Sequence, residues 1–427
     1  NGWFWGDHCY NVKSNYTSSA FRSYDVWYAN YKWIANVNYI IDAEPEMAGT
    51  EADVAYVAGQ AYAIRALCYL NLATWFSRAP YNSLTGASRW NEPCVPVYTT
   101  GTSIDTGGQP RESLRTVYGR IDQDIDRAIE LLEKARETTL AENNKSHINL
   151  YVALGIKSRA CLAEGDWDGA FKAAKRVIDE GGYAVGTKSD LTGGMNSLDK
   201  QNVMWGAGIQ VADQAGGYAG FFTHMDNKEG AYAKSAPKLI SKQLYNRISA
   251  TDIRRDWWDP SDKESPYVSK KFSFANVASF LGDYIYMRVE EMYFTAAEAA
   301  LRLDDLKSAR ELMNTVMAER DPGYSANIRS GTLLGATTTT WTGSFLENIL
   351  THRRIELWGE YGRLFDVRRL GQGIDRRTDD GFSEECISMM NRRNVNITKA
   401  DTYDWVLTIP KAELDANPNI NEEDQNP

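Results

Sequence analysis

Apolar residues spaced three and four apart dominate the chain. Between Glu51 and Ser77 they fall at Val54, Val57, Ala61, Ile64, Cys68, Leu72 and Trp75. That spacing predicts one long helix, stopped before Pro80. Tyr24, Trp27, Tyr28, Tyr31, Ile34 and Ile41 predict a helix ahead of it, its aromatics mostly in the core. Leu114 to Leu132 carries a third stripe. Val152, Ile156, Ala160 and Ala163 carry a fourth, with Ser146 as its expected cap. A last helical block is expected from Phe345 to Leu370, ending at Gly371. Shifting the sequence by 139 residues aligns Ala160, Leu162, Asp166, Ala170 and Val177 with Ala299, Leu301, Asp305, Ala309 and Val316. Each copy reads as helix, short acidic turn and Ala-rich helix, the pattern of a tetratricopeptide-type hairpin.

The texture changes between residues 183 and 285, where Gly, Tyr, Phe and Trp are frequent and the helical period fades. Val203-Met204-Trp205 and Tyr284-Ile285-Tyr286 read as strands. Trp257 and Trp258 read as strand core. Residues 80–110 and 321–344 read as loops. The expected fold is mostly α. Stacked hairpins over about 24–182 and 286–370 form a scaffold within one domain spanning 1–427, and the loop-rich remainder faces the ligand.

Composition narrows the classes. Of 427 residues, 47 are Lys or Arg and 57 are Asp or Glu, a net charge of −10 with no basic stripe. Nucleic-acid binding is therefore not expected. No apolar run is long enough to span a bilayer as a helix. Five cysteines, scattered and without a CxxC pair, do not make a disulfide framework; Cys68 and Cys161 read as small core residues. Aromatics make up 12% of the chain, including 13 Trp, and supply both core volume and flat faces for stacking.

Catalytic patterns are thin. His8, His147, His224 and His352 show neither HExxH spacing nor a cysteine partner, so no metal site is expected. There is no GxSxG elbow, and the paired glycines at Gly206 and Gly371 lack a third. Two carboxylates would suffice for a glycosidase, and sequence cannot rank 57 acids for that role.

Several segments, in order, resemble the SusD/RagB-like family of outer-membrane nutrient-binding lipoproteins. They are Asn30 to Asn38, Gly59 to Leu70 (with Gln60 where the family usually has Glu), and the hairpin from Ala160 to Gly182. Next come Asp252 to Arg255, Arg288 to Ala299, Arg353 to Asp366, and the ending from Ile409 through Asn417-Pro418 to Gln425-Asn426-Pro427. Arg65, Arg353, Glu356, Glu360, Arg363 and Asp366 within these motifs read as ion pairs and caps joining helices, not as catalysts.

The resemblance implies four tetratricopeptide-like hairpins beside an irregular ligand-bearing region. It implies a non-enzymatic role without cofactor: a cell-surface lipoprotein that caps a SusC-like TonB-dependent transporter, captures glycan oligomers and delivers them. Peptides serve as ligands in some members, and an all-α glycosidase remains the rival class. Membrane attachment would come only through a lipid anchor. The family's lipoprotein signal and acylated cysteine have no counterpart here, since Cys9 lacks an apolar leader, so an upstream signal is expected in the native gene product. Sugar rings need flat aromatic platforms with polar groups at their rims. Trp3, Trp5, Asp7, His8 and Tyr10 offer that mixture where the family often has site residues. Tyr218, Phe221, Phe222 and His224 offer a second set, and Trp341 a third.

Overall fold

A computed structural model describes residues 21–103, 105–138, 140, 144–211, 220–326, 330–375, 403 and 406–427. Helix α1 (Phe21–Ala43) leads into α2 (Glu51–Phe76), followed by α3 (Leu114–Lys134), α4 (Leu150–Glu164) and α5 (Trp167–Glu180). The chain then leaves the helical stack through α6 (Lys188–Thr192), β1 (Val203–Ala207), α7 (Phe221–Met225), α8 (Ala231–Ser235), α9 (Lys242–Tyr245), β2 (Trp258–Asp259) and β3 (Val268–Ser269). It returns through β4 (Tyr284–Arg288) to α10 (Val289–Arg302), α11 (Leu306–Ala318), α12 (Phe345–Glu356), α13 (Arg363–Leu370) and α14 (Lys411–Ala416).

Six scaffold helices start where a short polar side chain takes a free backbone N–H. Thr50, Ser113, Asn149, Asp166, Asp305 and Ser344 all accept from the residue three places on. The α4 cap is thus Asn149, not Ser146, whose hydroxyl and carbonyl instead serve Gly208 and Trp205. Helix α2 is buried on most of its circumference by Ala58, Ala61, Ala63, Ala66, Leu70 and Ala73, because α1 and α3 pack on either side of it. Of the predicted stripes, Val57 and Tyr28 are corrections. Val57 is exposed, as is Tyr28 at 50%, while Trp27 and Ile34 carry the buried face of α1.

The internal repeat is structural. Hairpins α4–α5 and α10–α11 begin at Leu150 and Val289, and their second helices at Trp167 and Leu306, each pair 139 residues apart. Helix α5 packs directly on α10, so the stack continues across the excursion. The left-handed position in the hairpin turn is Gly165 (φ +78°) in the first copy and Asp304 (φ +63°) in the second. A side chain is disfavoured there. Asp304→Gly is therefore expected to stabilise the protein by about 0.5–1 kcal/mol, read as a rise in thermal midpoint. A drop would mean that the carboxylate makes a contribution larger than the strain.

The excursion is closed at its neck. Strands β1 and β4 pair antiparallel, with Trp205 opposite Met287 and Gly206 opposite Ile285, and the register is irregular on both sides of Trp205. Beyond the neck lies a second core of Phe222, Leu244, Trp257, Trp258, Phe272 and Phe274. Trp257 and Trp258 are both buried there, but only Trp258 is in a strand; Trp257 closes a short 3-10 helix, Ile253–Trp257.

The block expected as one helix from Phe345 to Leu370 is two. Gly359 (φ +76°) and Gly362 (φ +116°) turn the chain between α12 and α13. The buried Lys271 ammonium donates to the carbonyls of Glu356 (2.7 Å) and Trp358 (2.8 Å), satisfying the end of α12. This break swings residues 359–361 out of the helical path.

Candidate functional site

Those three residues form part of a cavity of about 760 Å³ between the first helices and the excursion, within the usual size of a small-molecule site. Helix α1 contributes Trp33, Asn36 and Val37, and α2 contributes Ile64, Leu67, Cys68 and Asn71. The excursion contributes Met195, Trp205, Phe221, Phe272, Tyr284, Ile285 and Tyr286. Alternation along a strand explains part of this: Tyr284 and Tyr286 share one face of β4. Trp205 and Tyr286 meet edge to face with ring centroids 5.0 Å apart. Trp33 is 54% exposed and Tyr286 40%, so both keep ring surface free for stacking. The side-chain amides of Asn36 and Asn71 have no partner among the described residues.

Charged groups behind the wall hold one another. Arg159 grips Glu291 through Nε (2.8 Å) and Nη2 (2.7 Å), and its guanidinium covers the Tyr361 ring at 3.9 Å. Glu360 accepts from Lys271 (2.5 Å) and from both Nε and Nη2 of Arg288 (2.7 and 2.9 Å). One helical turn earlier, Glu356 is the hub. Its carboxylate accepts from Arg254 (3.2 Å), Arg288 (3.0 Å) and Arg320 (2.9 and 3.0 Å), all buried. Arg353 bonds Asp366 (2.9 Å), and Arg369 forks onto Glu298 (2.7 and 2.9 Å). Arg65 forks onto Asp124 (2.8 and 2.7 Å). The motif charges are thus structural pairs. Burial alone would raise the Glu356 carboxyl, but Arg320, Arg288 and Arg254 win and hold it well below the carboxylate range. Burial pulls the Lys271 ammonium down to about 8 despite Glu360.

Comparison with known proteins follows from this architecture. The model of the SusD family matches residues 227–427, and a second, described as starch-binding associating with outer membrane, matches residues 3–162. The chain belongs to the SusD family. Among solved structures, a SusD-like carbohydrate binding protein from Bacteroides vulgatus is 26% identical, with a TM-score of 0.73 over 93% of this chain and 83% of that one. A SusD superfamily protein from Bacteroides thetaiotaomicron gives 0.75 at 23% identity, covering 94% and 85%. A surface glycan-binding protein A from Bacteroides uniformis gives 0.66 at 18% identity, covering 94% and 84%. None of the curated proteins compared with the chain matches it.

This SusD-family chain distributes the expected site residues unevenly. Trp3, Trp5, Asp7, His8, Tyr10 and Tyr218 lie outside the described residues. Phe221 lines the cavity, packed on Phe272 at 5.3 Å. Phe222 is corrected. It is 1% exposed in the second core, pressed against Gly282 so closely that a Cβ there would not fit, and offers no face to a ligand. Trp341 lines a separate cavity of about 240 Å³ that shares Gly359 and Tyr361 with the first, and the Arg247 guanidinium sits 3.8 Å over its ring. His224 stacks on Tyr232. Trp33, Trp205, Tyr284 and Tyr286 were not singled out by sequence reasoning as site residues. A signal existed for Trp33: in α1 it falls beside, not on, the stripe of Trp27, Ile34 and Ile41. Among the described residues no helix is long and apolar enough to cross a membrane, and no cluster of His, Cys, Asp or Glu could hold a metal ion.

The buried histidine sets a pH response. His352 Nδ1 accepts from Arg254 Nη2 at 2.8 Å, which requires the neutral ring; burial, then Arg254, hold its pKa well below 6.5. The unfolded chain takes up this proton below about pH 6.5 and the folded one does not. By itself this histidine lowers stability on acidification below that point by about 1.4 kcal/mol per pH unit, while Glu164, whose carboxyl is pushed up to about 8 by burial and then by Asp122, acts in the opposite direction. The depressed carboxyls of Glu356, Glu360, Asp366 and Glu298 act in the same direction as the histidine at lower pH. Their contribution is present above the ordinary carboxylate pKa and lost as pH falls through the folded values. Denaturant midpoints at pH 7.5, 6 and 5 for the wild type and for His352→Asn measure the histidine's step as the difference between the two profiles. Parallel pH profiles for the two proteins between pH 6.5 and 5 would contradict the assignment.

Proposed function

We propose that this protein captures glycan oligomers at the cell surface and delivers them intact to a SusC-like TonB-dependent transporter, over which it acts as a lid. The observation that carries the reading is the cavity, with exposed faces of Trp33 and Tyr286 and with the amides of Asn36 and Asn71 unpartnered among the described residues. Aromatic planes suit the C–H faces of sugar rings, and amides suit hydroxyls. The family's description as starch-binding and the names of the B. vulgatus and B. uniformis proteins support a sugar as the ligand class. Among the described residues the charged groups of the cavity wall, Arg159 and Glu360, are held in ion pairs, which suits binding and not turnover. An upstream acylated cysteine would tether the protein to the outer membrane.

Calorimetric titration against a glycan oligomer panel, with chromatography of the recovered ligand, tests the reading. Saturable binding with unchanged chain length supports it. Catalytic shortening of the oligomer would replace it with a glycosidase. Co-purification of a TonB-dependent transporter from membranes of the native host tests the delivery step.

A further inference from the structure

Resting on the glycan reading above, we infer that the sugar seated in this cavity is uncharged and carries an apolar substituent at the position that enters it: an acetyl ester, an acetamido group or a deoxy methyl. Charge comes first. Among the described lining residues the charged ones are Arg159 and Glu360, and both are committed. Glu360 shares its carboxylate between Lys271 and Arg288, and Arg159 spends Nε and Nη2 on Glu291 and the Tyr286 carbonyl. Among the described residues an entering carboxylate or sulfate would meet no cation free of an ion pair, would have to compete with Glu291, and would approach a chain of net charge −10.

The second argument is the wall itself. Aromatic platforms accept most sugars, but this cavity also has a purely aliphatic part made by Val37, Ile64, Leu67, Met195 and Ile285. None of these side chains can pair with a hydroxyl, and a hydroxyl buried without a partner is strongly disfavoured. The neutral amides are two, Asn36 and Asn71, and Arg159 adds one uncommitted nitrogen, Nη1. These groups can serve the hydroxyls of a bare sugar, but a hydroxyl turned against the apolar side chains would be left without a partner. The methyl of an acetyl or deoxy group needs no partner and gains by leaving water.

The test uses matched pairs on a common backbone. Acetylated xylo-oligosaccharides are compared with the same material after mild alkaline deacetylation, and chitotetraose with cellotetraose, by calorimetry on the full chain. Oligogalacturonides form an anionic arm and an apolar peptide library a non-glycan arm. The expected result is that the substituted member of a pair binds about tenfold or more tightly, as one methyl in an apolar pocket can give. Ile64→Thr should shrink that preference, with the near-isosteric Val37→Thr as the check if the first variant does not fold. Equal binding within both pairs, or tighter binding of oligogalacturonides, overturns the substituent inference and leaves the glycan reading standing. Failure of every oligosaccharide, with or without peptide binding, overturns the glycan reading and this inference with it.

Discussion

Glu356→Gln is expected to lower folding stability by about 3–5 kcal/mol, the usual result of removing one member of a buried ion cluster. Four donors make the case: Arg254 Nη1, Arg288 Nη1, and Nε and Nη2 of Arg320 converge on this carboxylate. All three arginines and the glutamate are inaccessible to water. The amide keeps the shape but removes the charge, and it turns two N–H groups toward guanidiniums that can only donate. The neighbouring Glu290 receives Arg320 at 2.8 Å, and Asp252 receives Arg254 at 2.7 Å, so the arginines are not wholly abandoned. For that reason the loss should stay below the sum of three broken pairs. Urea denaturation with a spectroscopic readout measures it. A loss under 1 kcal/mol would mean that the cluster redistributes its charge without strain. Because Arg288 bridges Glu356 and Glu360, the variant should also loosen residues 359–361 and weaken ligand binding.

Trp33→Ala separates binding from folding. The ring is half exposed on α1, so its removal should leave the thermal midpoint nearly unchanged. Stacking on one sugar ring contributes on the order of 1 kcal/mol beyond simple area burial, which predicts a five- to tenfold weaker dissociation constant. Tyr286→Ala should act similarly in binding but cost more in stability, because Tyr286 also packs edge to face on Trp205. The wild-type constant is expected between micromolar and millimolar, since association entropy cancels much of the stacking gain. Binding through hydroxyls and rings should be nearly insensitive to salt and to chelators. An unchanged constant in Trp33→Ala would move the ligand site away from this cavity. A large drop in its melting temperature would instead make Trp33 a packing residue.

The scaffold was legible because helices announce themselves locally. Apolar spacing marked α1 to α4, and the 139-residue shift found the second hairpin, α10–α11. The break between α12 and α13 was missed because two glycines in a helical pattern weigh little beside its apolar residues. What breaks that helix is Lys271, which stands 85 residues before Glu356 in sequence and is visible only in space. Arg65, Arg353, Glu356, Glu360 and Asp366 were read correctly as pairs, yet the partners Asp124, Arg320 and Lys271 come from three separate segments. The cavity was least legible. Its wall joins α1, α2, β4 and the turn at Gly359, and no local rule relates Trp33 to Tyr286. Phe221 and Phe222 look equivalent in sequence, and a single step along a short helix sends one to the cavity and the other into the core.

The paired strands at the neck of the excursion have an evolutionary consequence. Since α5 already packs on α10, the scaffold is continuous without residues 183–285, and β1 and β4 need only bring the two ends of that segment together. The entropy of closing a loop grows slowly with its length, about 0.6 kcal/mol for each doubling. Residues beyond the neck can therefore lengthen, shorten or change identity with little thermodynamic penalty to the helices that carry them. Specificity can diversify on one side of a two-stranded gate while the other side stays constant.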